Sequence, residues 1–269
     1  MSHTRLGIIG AGHMAETIAR GILAAKILAA DEIAASDPGD ERRRLFHREL
    51  GIATSAENAA VVDAAPVILV AVKPQQFDKA LAALGGRFGP DKLVISICAG
   101  ISTRHIEETL ATGTRVVRAM PNTPMLVGRG MAGICAGTGA TDEDLETAAR
   151  LLGAAAEVIR VPEDLMDAVT AVSGSGPAYF FYLTELLAEA GVAVGLSQED
   201  AMRLARGTFE GAAQLLAESG EAVADLRRKV TSPGGTTEAA IRTFDVLGLK
   251  KTVAEAVKAA RDRGRELGR

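Results

Sequence analysis

A glycine-rich segment near the N-terminus has the composition of a dinucleotide-binding turn. Residues 10–15 read Gly-Ala-Gly-His-Met-Ala, a GxGxxA pattern that follows an apolar strand-like run and opens a helical one. Gly10 permits a tight turn, Gly12 lets backbone amides approach a pyrophosphate, and the small Ala15 lets the helix pack on the strand. A further strand is predicted over residues 32–36, so the segment fits one βαβ unit. The alternative is a glycine turn that binds no ligand.

The end of the second predicted strand bears on which dinucleotide binds. Asp37 is the carboxylate at that strand end and could accept a hydrogen bond from the ribose 2′-hydroxyl of NAD. Ser36 and the run Arg42–Arg44 could instead contact the 2′-phosphate of NADP. The arginines also fit an ordinary solvated helix face. The residues therefore predict a dinucleotide site and leave its phosphate open.

Further strand ends carry residues suited to this site, because ligands bind at the carboxyl edge of such sheets. Lys73 follows a buried strand in the segment Ala71–Gln75, where it could contact the cofactor or snorkel at the surface. Ala99 ends the next strand and Met120–Pro124 ends another. Small residues at these ends would leave room for a nicotinamide ring, and Asn122 could hold local backbone or the carboxamide.

The second half of the chain contains a segment suited to binding a carboxylate. Ser232–Thr237 reads Ser-Pro-Gly-Gly-Thr-Thr and leads into a helix predicted to start near Glu238. Amides at a helix N-terminus attract anions, and the two glycines would let an anion approach closely. The alternative is an ordinary N-cap by Thr236 or Thr237, which accounts for one hydroxyl only. Another glycine-rich break, Ser173–Pro177, fits a helix cap or close helix packing.

Alternating strand and helix patterns predict an α/β fold with a mostly parallel, doubly wound sheet in the N-terminal part. The predicted strands cover residues 5–9, 32–36, 66–72, 92–97, 114–119 and 132–136. The predicted helices there cover residues 14–25, 41–50, 103–110 and 142–152, the last capped by Asp142. An Ala- and Leu-rich series then predicts helices over residues 163–172, 178–194, 198–219, 222–230 and 250–267. We expect a dinucleotide-binding domain over residues 1–160 and an all-helical domain over residues 161–269.

The composition excludes several classes of function. Lys plus Arg total 30 against 34 Asp plus Glu, so the formal net charge of -4 gives no general footprint for nucleic acid. The longest apolar run is too short to span a bilayer, and no signal peptide is recognisable. Cys98 and Cys135 are isolated, which argues against structural zinc or a disulfide framework and predicts buried packing residues. These features favour a soluble, cytoplasmic protein with no metal and no membrane or nucleic-acid partner.

The positions of histidine and lysine limit which residues could act as acid or base in catalysis. No histidine lies beyond His105, and no lysine lies between Lys92 and Lys229. A histidine or lysine that acts as acid or base is therefore excluded from the middle of the chain. Chemistry that uses backbone amides, hydroxyls, carboxylates or a bound cofactor remains open.

Five motifs together give the chain a resemblance to a known family. GAGHMA, AVKPQ, AMPNTP, SGSGPAY and TSPGGTT, in this order and spacing, resemble pyrroline-5-carboxylate reductases over essentially the whole chain. The resemblance implies an N-terminal Rossmann-type domain and a helical C-terminal dimerisation domain. It implies reduction of L-1-pyrroline-5-carboxylate to L-proline by NADPH or NADH, the last step of proline biosynthesis. It also implies a homodimer that can associate further into a decamer.

The resemblance assigns roles to individual residues. The substrate contacts it implies are Glu163, Ser232, Gly234, Gly235, Thr236 and Thr237, with the Thr237 hydroxyl at the ring nitrogen as the catalytic group. Together with the strand ends, the expected cofactor contacts are Ile9, Gly10, Ala11, Gly12, His13, Met14, Ser36, Asp37, Asn58, Ala71, Val72, Lys73, Pro74, Ala99, Met120, Asn122 and Lys229. Asp37 departs from the family pattern, because a carboxylate would repel a 2′-phosphate. Lys229, where some relatives carry Asn, could partly offset that charge.

Two rival interpretations each fail on one feature. A β-hydroxyacid dehydrogenase of similar build would need a lysine in the first long helix after the domain boundary, where the chain has none. A cofactor-binding regulatory protein would not need the Ser232–Thr237 loop. Reduction of a cyclic imine fits better, because a protonated imine is already an electrophile and does not require a strong acid.

Overall fold

The computed structural model describes residues 4–267, in which eight strands form one mostly parallel sheet. The strands are β1 (Leu6–Ile9), β2 (Ile33–Ser36), β3 (Ala53–Ser55), β4 (Val67–Val70), β5 (Leu93–Ser96), β6 (Arg115–Pro121), β7 (Gly130–Ala136) and β8 (Ala156–Arg160). Their order across the sheet is β3-β2-β1-β4-β5-β6-β7-β8, and within it β6 and β7 pair antiparallel. The chain adds strands outward from β1 on one side and from β4 on the other. This is the doubly wound sheet that the sequence predicts.

Successive side chains of the central strands pack alternately into two separate cores, one on each face of the sheet. Ile8 and Leu69 belong to a core that includes Phe46, whereas Ile9 and Val70 belong to the other. The central strands are short continuous apolar runs because helices cover both of their faces. Both faces of the sheet are therefore covered, and its carboxyl edge is the place where a fold of this kind binds a ligand.

The chain divides into two compact units, the first comprising the residues up to Ser175 and those from Ala260 onward. Its helices are α1 (His13–Ala24), α2 (Asp40–Leu50), α3 (Asn58–Ala64), α4 (Phe77–Leu81), α5 (Thr103–Thr109), α6 (Asp142–Leu152) and α7 (Met166–Val169). The expected domain boundary at residue 160 stays a prediction.

The second unit, Gly176–Ala259, is entirely helical in its regular structure. Its helices are α8 (Gly176–Ala193), α9 (Gln198–Ser219), α10 (Val223–Lys229), α11 (Thr236–Val246) and the first part of α12 (Leu249–Leu267). Small buried side chains, Ala188 of α8 with Ala201 and Ala205 of α9, let these two helices pack closely. Large apolar side chains of α8 remain exposed, namely Tyr179, Phe180, Phe181, Tyr182, Leu183, Leu186 and Leu187. Among residues 4–267, no helix is long and apolar enough to cross a lipid bilayer.

One helix cap differs from the sequence-based expectation. Asp142 is the first residue of α6, and Thr141 is its N-cap, with the Thr141 hydroxyl accepting a hydrogen bond from the amide of Asp144. The Asp144 carboxylate accepts a bond from the Thr141 amide at 2.8 Å. This reciprocal pair forms a capping box, so the prediction that Asp142 caps the helix is wrong.

The segment predicted as one helix over residues 163–172 consists of three different turns. A 3-10 turn spans Glu163–Leu165, α7 follows, and a π-helical segment spans Thr170–Gly174. A Cβ atom on Gly174 would lie 2.6 Å from the terminal methyl of Met120. The glycine thus lets the π-helical segment pack directly against the end of β6, which a regular apolar pattern does not reveal.

Candidate active site

The glycine turn after β1 has a conformation that requires glycine at its first position. Gly10 has a φ of 92° and donates its amide hydrogen bond to the carbonyl of Ser36 at 2.8 Å. A Cβ atom on Gly10 would lie 2.8 Å from the carbonyl oxygen of Ala71. The turn is therefore pressed between the ends of β2 and β4, and Ile9 before it is fully buried.

The N-terminus of α1 is open to an anion. Gly12 is the N-cap residue, its backbone is extended, and no side chain caps the helix. A Cβ atom on Gly12 would meet nothing within 4 Å, so the space in front of it is clear. The amides of His13 and Met14, at the start of the helix, have no acceptor within it. These amides can donate to a pyrophosphate, with the helix dipole adding attraction.

At the end of β2, Asp37 faces the glycine turn and Ser36 faces inward. The Asp37 carboxylate accepts hydrogen bonds from the amides of Ala11 at 2.9 Å and Gly39 at 2.8 Å. The Ser36 side chain is fully buried, and its hydroxyl donates to the side-chain oxygen of Asn58 at 2.8 Å. The Ser36 hydroxyl is thus bonded within the protein, and its expected contact with a 2′-phosphate stays a prediction. Of the two residues, Asp37 is the one whose side chain contacts the glycine turn.

The other predicted cofactor residues of this unit lie at the same carboxyl edge. Ile9 pairs with Val70, and Val70 pairs with Ser96, so the ends of β1, β4 and β5 are level. The segments that leave this edge include Ala71, Val72, Lys73 and Pro74 after β4, and Ala99 after β5. Lys73 and Ala99 are exposed. The structure thus brings the predicted strand-end residues together at one edge.

Asn122 joins the end of β6 to the Ser173–Pro177 segment. Its side-chain oxygen accepts from the amide of Met131 at 2.8 Å, and its side-chain nitrogen donates to the carbonyl of Ser173 at 3.1 Å. Of the two roles considered for Asn122, the structure shows the one in which it holds local backbone. Met120, beside it, packs against Gly174.

Both cysteines are buried and free, which confirms that they are packing residues. Burial raises the pKa of the Cys98 thiol to about 11 and that of the Cys135 thiol to about 12. Neutral thiols are weak nucleophiles, so neither residue is suited to covalent catalysis at ordinary pH.

Glu163 lies in a partly buried polar network of the first unit. Its carboxylate accepts hydrogen bonds from the amide of Thr103 at 2.7 Å, from the Thr103 hydroxyl, and from Arg118 at 3.2 Å. Arg118 is buried in β6 and also lies 3.7 Å from a carboxylate oxygen of Asp167. These bonds hold Glu163 at the N-terminus of α5, and its predicted contact with substrate stays a prediction.

In the second unit, the Ser232–Thr237 segment forms a tight turn into α11. Gly234 has a φ of 70°, and Gly235 is the N-cap residue, with no side chain capping the helix. Thr236 and Thr237 are the first two residues of α11, so the alternative of an N-cap by either threonine is wrong. The Gly234 amide donates to the Glu238 carboxylate at 2.7 Å, which shows that this turn accommodates a carboxylate.

Lys229, at the end of α10 in the same unit, forms an ion pair with Glu221 at 2.5 Å. Its expected contact with the cofactor stays a prediction.

Two residues with contacts at these places, Arg118 and Glu238, were not identified from the sequence. Arg42 was considered only as a possible contact of a 2′-phosphate, and in the structure it donates to the carbonyl of Ala11 at 2.5 Å. Arg42 stood out only as one of three consecutive arginines, and Arg118 only as a charge within an apolar strand. Glu238 does carry a signal, because a glutamate at the third position of a helix often reaches back to the amides before it.

Two family models match the chain, one in each half. Residues 5–100 match a family described as NADP oxidoreductase coenzyme F420-dependent, and residues 163–267 match pyrroline-5-carboxylate reductase dimerisation. The second range includes the whole Ser232–Thr237 turn.

Similar proteins cover the full length of the chain. A pyrroline-5-carboxylate reductase of Synechocystis sp. is 42% identical over 266 residues, 98% of both chains. The structure of a pyrroline-5-carboxylate reductase from Coxiella burnetii has a TM-score of 0.92 at 35% identity and covers 99% of both chains. That of a pyrroline carboxylate reductase from Plasmodium falciparum, solved with NADP bound, has a TM-score of 0.84 at 29% identity and covers 100% of both chains.

Proposed function

The chain belongs to the pyrroline-5-carboxylate reductase family, and from this premise we propose how its own residues carry the NAD(P)H-dependent reduction of L-1-pyrroline-5-carboxylate to L-proline. The observation that carries the proposal is the Ser232–Thr237 turn, where a glycine with positive φ precedes a helix N-terminus that has no side-chain cap. A turn of this kind is suited to the substrate carboxylate.

The carboxyl edge of the sheet holds the nicotinamide dinucleotide. The open space at Gly12 and the uncapped N-terminus of α1 support this placement, since they fit a pyrophosphate. The contacts are Ile9 to Met14 around the turn, Asp37 at the ribose, and Ala71 to Pro74, Ala99, Met120 and Asn122 along the edge. When bound, the nicotinamide supplies the hydride that reduces the C=N bond.

The Ser232–Thr237 turn fixes the substrate and Thr237 orients its ring. Amides of Gly234 and Thr236 donate to the substrate carboxylate, displacing the contact that Glu238 now makes with Gly234. The Gly235 amide closes the turn by donating to the carbonyl of Ser232 at 3.0 Å, so Gly235 contributes its lack of a side chain. The Thr237 hydroxyl bonds the ring nitrogen and holds the imine for attack at its carbon. Because the protonated imine is electrophilic, no histidine or lysine is required.

Removal of the Thr237 hydroxyl tests this assignment. Thr237→Ala should lower kcat/KM for pyrroline-5-carboxylate by about tenfold to a few hundredfold, the effect of losing one oriented polar contact. Thr237→Ser keeps the hydroxyl and should retain most of the activity. Nucleotide oxidation with pyrroline-5-carboxylate, assayed separately with NADPH and NADH, measures both effects.

A second threonine of the same helix provides the matched control. The Thr243 hydroxyl bonds only within α11, to the carbonyl of Ala239 at 2.9 Å, so Thr243→Ala should leave kcat/KM unchanged. Wild-type activity in the Thr237→Ala variant would remove Thr237 from the mechanism. Absence of nucleotide oxidation by the wild-type enzyme with either coenzyme would overturn the proposal as a whole.

The proposal extends to organisation and location. Residues 1–160 form the dinucleotide domain, and residues 161–269 form the substrate and dimerisation domain. The protein is an oligomer, and its basic unit is a homodimer that associates through the exposed apolar side chains of α8 and can assemble further into decamers. The free, buried cysteines support a cytoplasmic location, where thiols stay reduced.

A further inference from the structure

Asp37 is held in a fixed position at the point where the adenosine ribose of a dinucleotide binds. Both carboxylate oxygens are oriented by main-chain amides, one from Ala11 in the glycine turn and one from Gly39. Each oxygen still has a lone pair with which it can accept a further hydrogen bond. A ribose 2′-hydroxyl is a donor and suits this carboxylate, whereas a 2′-phosphate brings only negative charge and acceptor oxygens.

Arg42 is committed to the glycine turn. Its Nε donates to the carbonyl of Ala11 at 2.5 Å, and its Nη2 donates to Glu16 at 2.8 Å. Partial burial of Glu16 raises its pKa, but hydrogen bonds from Arg42 and Arg20 outweigh burial, so the pKa of Glu16 lies below its usual range. The Glu16 carboxylate is therefore charged at neutral pH, and it neutralises Arg42.

The two following arginines are engaged as well. Arg43 donates to the carbonyls of Asp37 and Pro38, each at 2.8 Å, and to Asp40 at 3.2 Å. Arg44 is 65% exposed in its side chain and pairs with Asp40 at 2.6 Å. The run that suggested a phosphate site in the sequence thus builds the loop and the turn, and each guanidinium is paired with a carboxylate.

We propose that Asp37 makes this enzyme select NADH over NADPH. The inference rests on the proposed dinucleotide site at the glycine turn. The carboxylate accepts a hydrogen bond from the 2′-hydroxyl of NADH and repels the 2′-phosphate of NADPH. The three neighbouring arginines already form ion pairs, Arg42 with Glu16 and both Arg43 and Arg44 with Asp40. A hydrogen bond to a charged group, gained with one coenzyme and replaced by repulsion with the other, gives a preference on the order of tenfold to a hundredfold.

Direct binding of the oxidised coenzymes tests the inference without substrate. Isothermal titration of the wild-type protein with NAD⁺ and with NADP⁺ should give the tighter Kd for NAD⁺, and kcat/KM should favour NADH by a similar factor. Asp37→Ser removes the charge but keeps an acceptor for Ala11, and it should shift the Kd ratio toward NADP⁺ by tenfold or more. Glu41→Gln removes an exposed carboxylate at the start of α2, the helix that follows Asp37, and should leave the ratio unchanged.

The outcomes separate this inference from the proposed reaction. A wild-type Kd for NADP⁺ equal to or tighter than that for NAD⁺ overturns the selection, as does a Kd ratio that Asp37→Ser does not move. Binding of neither coenzyme overturns both the selection and the dinucleotide site. Selective NAD⁺ binding without turnover of pyrroline-5-carboxylate supports the selection and rejects the reaction.

Discussion

Ala11 shows how single residues set the shape of the coenzyme site. The Asp37 carboxylate accepts a hydrogen bond from the Ala11 amide, and Arg42 donates one to the Ala11 carbonyl. The Ala11 side chain is fully buried. Arg42 also lies over the ring of Phe46, 5.9 Å from its centroid, which fixes the guanidinium. The middle residue of the glycine turn is therefore held by Asp37 from the loop after β2 and by Arg42 from α2, and neither residue is part of the GxGxxA pattern.

Loss of Arg42 should loosen this turn. Arg42→Gln leaves the buried Ala11 carbonyl without its donor and Glu16 with one less partner, which should cost about 1–3 kcal/mol of unfolding free energy. The KM for NADH should rise severalfold with a smaller change in kcat, because the turn acts on binding. Urea unfolding and steady-state kinetics measure the two effects.

The neighbouring Arg44 serves as the comparison for this variant. Its exposed ion pair with Asp40 should contribute less than about 1 kcal/mol, so Arg44→Gln should match the wild type in both measurements. Equal effects of the two substitutions would show that Arg42 acts by its charge alone.

The pair Ser36 and Asp37 illustrates what residue types predict and what they leave out. Both are polar residues at a strand end, so the sequence allows either one to meet the ribose. Side chains alternate across a strand, and in the structure Ser36 points into the sheet toward Asn58 while Asp37 continues into the loop. Which of the two side chains can reach the ribose depends on the register of β2 against β1, which is a property of the tertiary structure.

At the scale of elements, α6 offers a test of which residue begins a helix. Thr141→Ala removes the capping hydroxyl and should lower the unfolding free energy by about 1 kcal/mol. Thermal and urea unfolding, each monitored by circular dichroism, measure the loss.

Asp142→Ala is the matched control, because Asp142 is the first helical residue and makes no cap. That variant should lose only the small dipole contribution, about 0.3–1 kcal/mol. If the loss in Asp142→Ala exceeds that in Thr141→Ala, the capping box is not what stabilises this helix.

Long elements with a clear period were predictable, and short or irregular ones were not. The prediction for residues 198–219 matches α9, and each of the six predicted strands overlaps an observed strand, with ends that differ by at most two residues. β3 has three residues and β8 lies mostly at the surface, so neither has a distinct apolar run. The antiparallel pairing of β6 with β7 depends on the tight Thr123–Val127 connection, which has no counterpart in a βαβ pattern.

At the scale of the whole molecule, the exposed apolar side chains of α8 predict the effect of an interface substitution. Phe181 is 59% exposed in the single chain, beside other large apolar side chains. Phe181→Glu would place a charge in the proposed subunit contact and should shift the protein toward monomers, with a lower Tm that depends on concentration. Sedimentation velocity over a range of concentrations measures the shift.

Leu126 of the first unit provides the control for this substitution. It is 66% exposed on the Thr123–Val127 turn, and Leu126→Glu should leave the mass of the assembly unchanged. Dissociation by Leu126→Glu and not by Phe181→Glu would move the subunit contact away from α8.

The difference between the two halves of the chain could be predicted from the sequence because each half has its own pattern. Strand and helix alternate around the glycine turn, and Ala-rich helices surround the Ser232–Thr237 turn. The sequence pattern does not predict which charged side chains are buried or which carboxylate each of them pairs with. The burial of Arg118 and the pairing of Arg42 with Glu16 depend on contacts between residues far apart in the chain.

The two tyrosines of the chain also provide an intrinsic fluorescence signal for assembly. Both Tyr179 and Tyr182 belong to α8, and the chain contains no tryptophan. Intrinsic tyrosine emission therefore originates from one helix, the one proposed to meet a second protomer. Its anisotropy and its quenching by iodide would follow assembly in real time, with no dye attached.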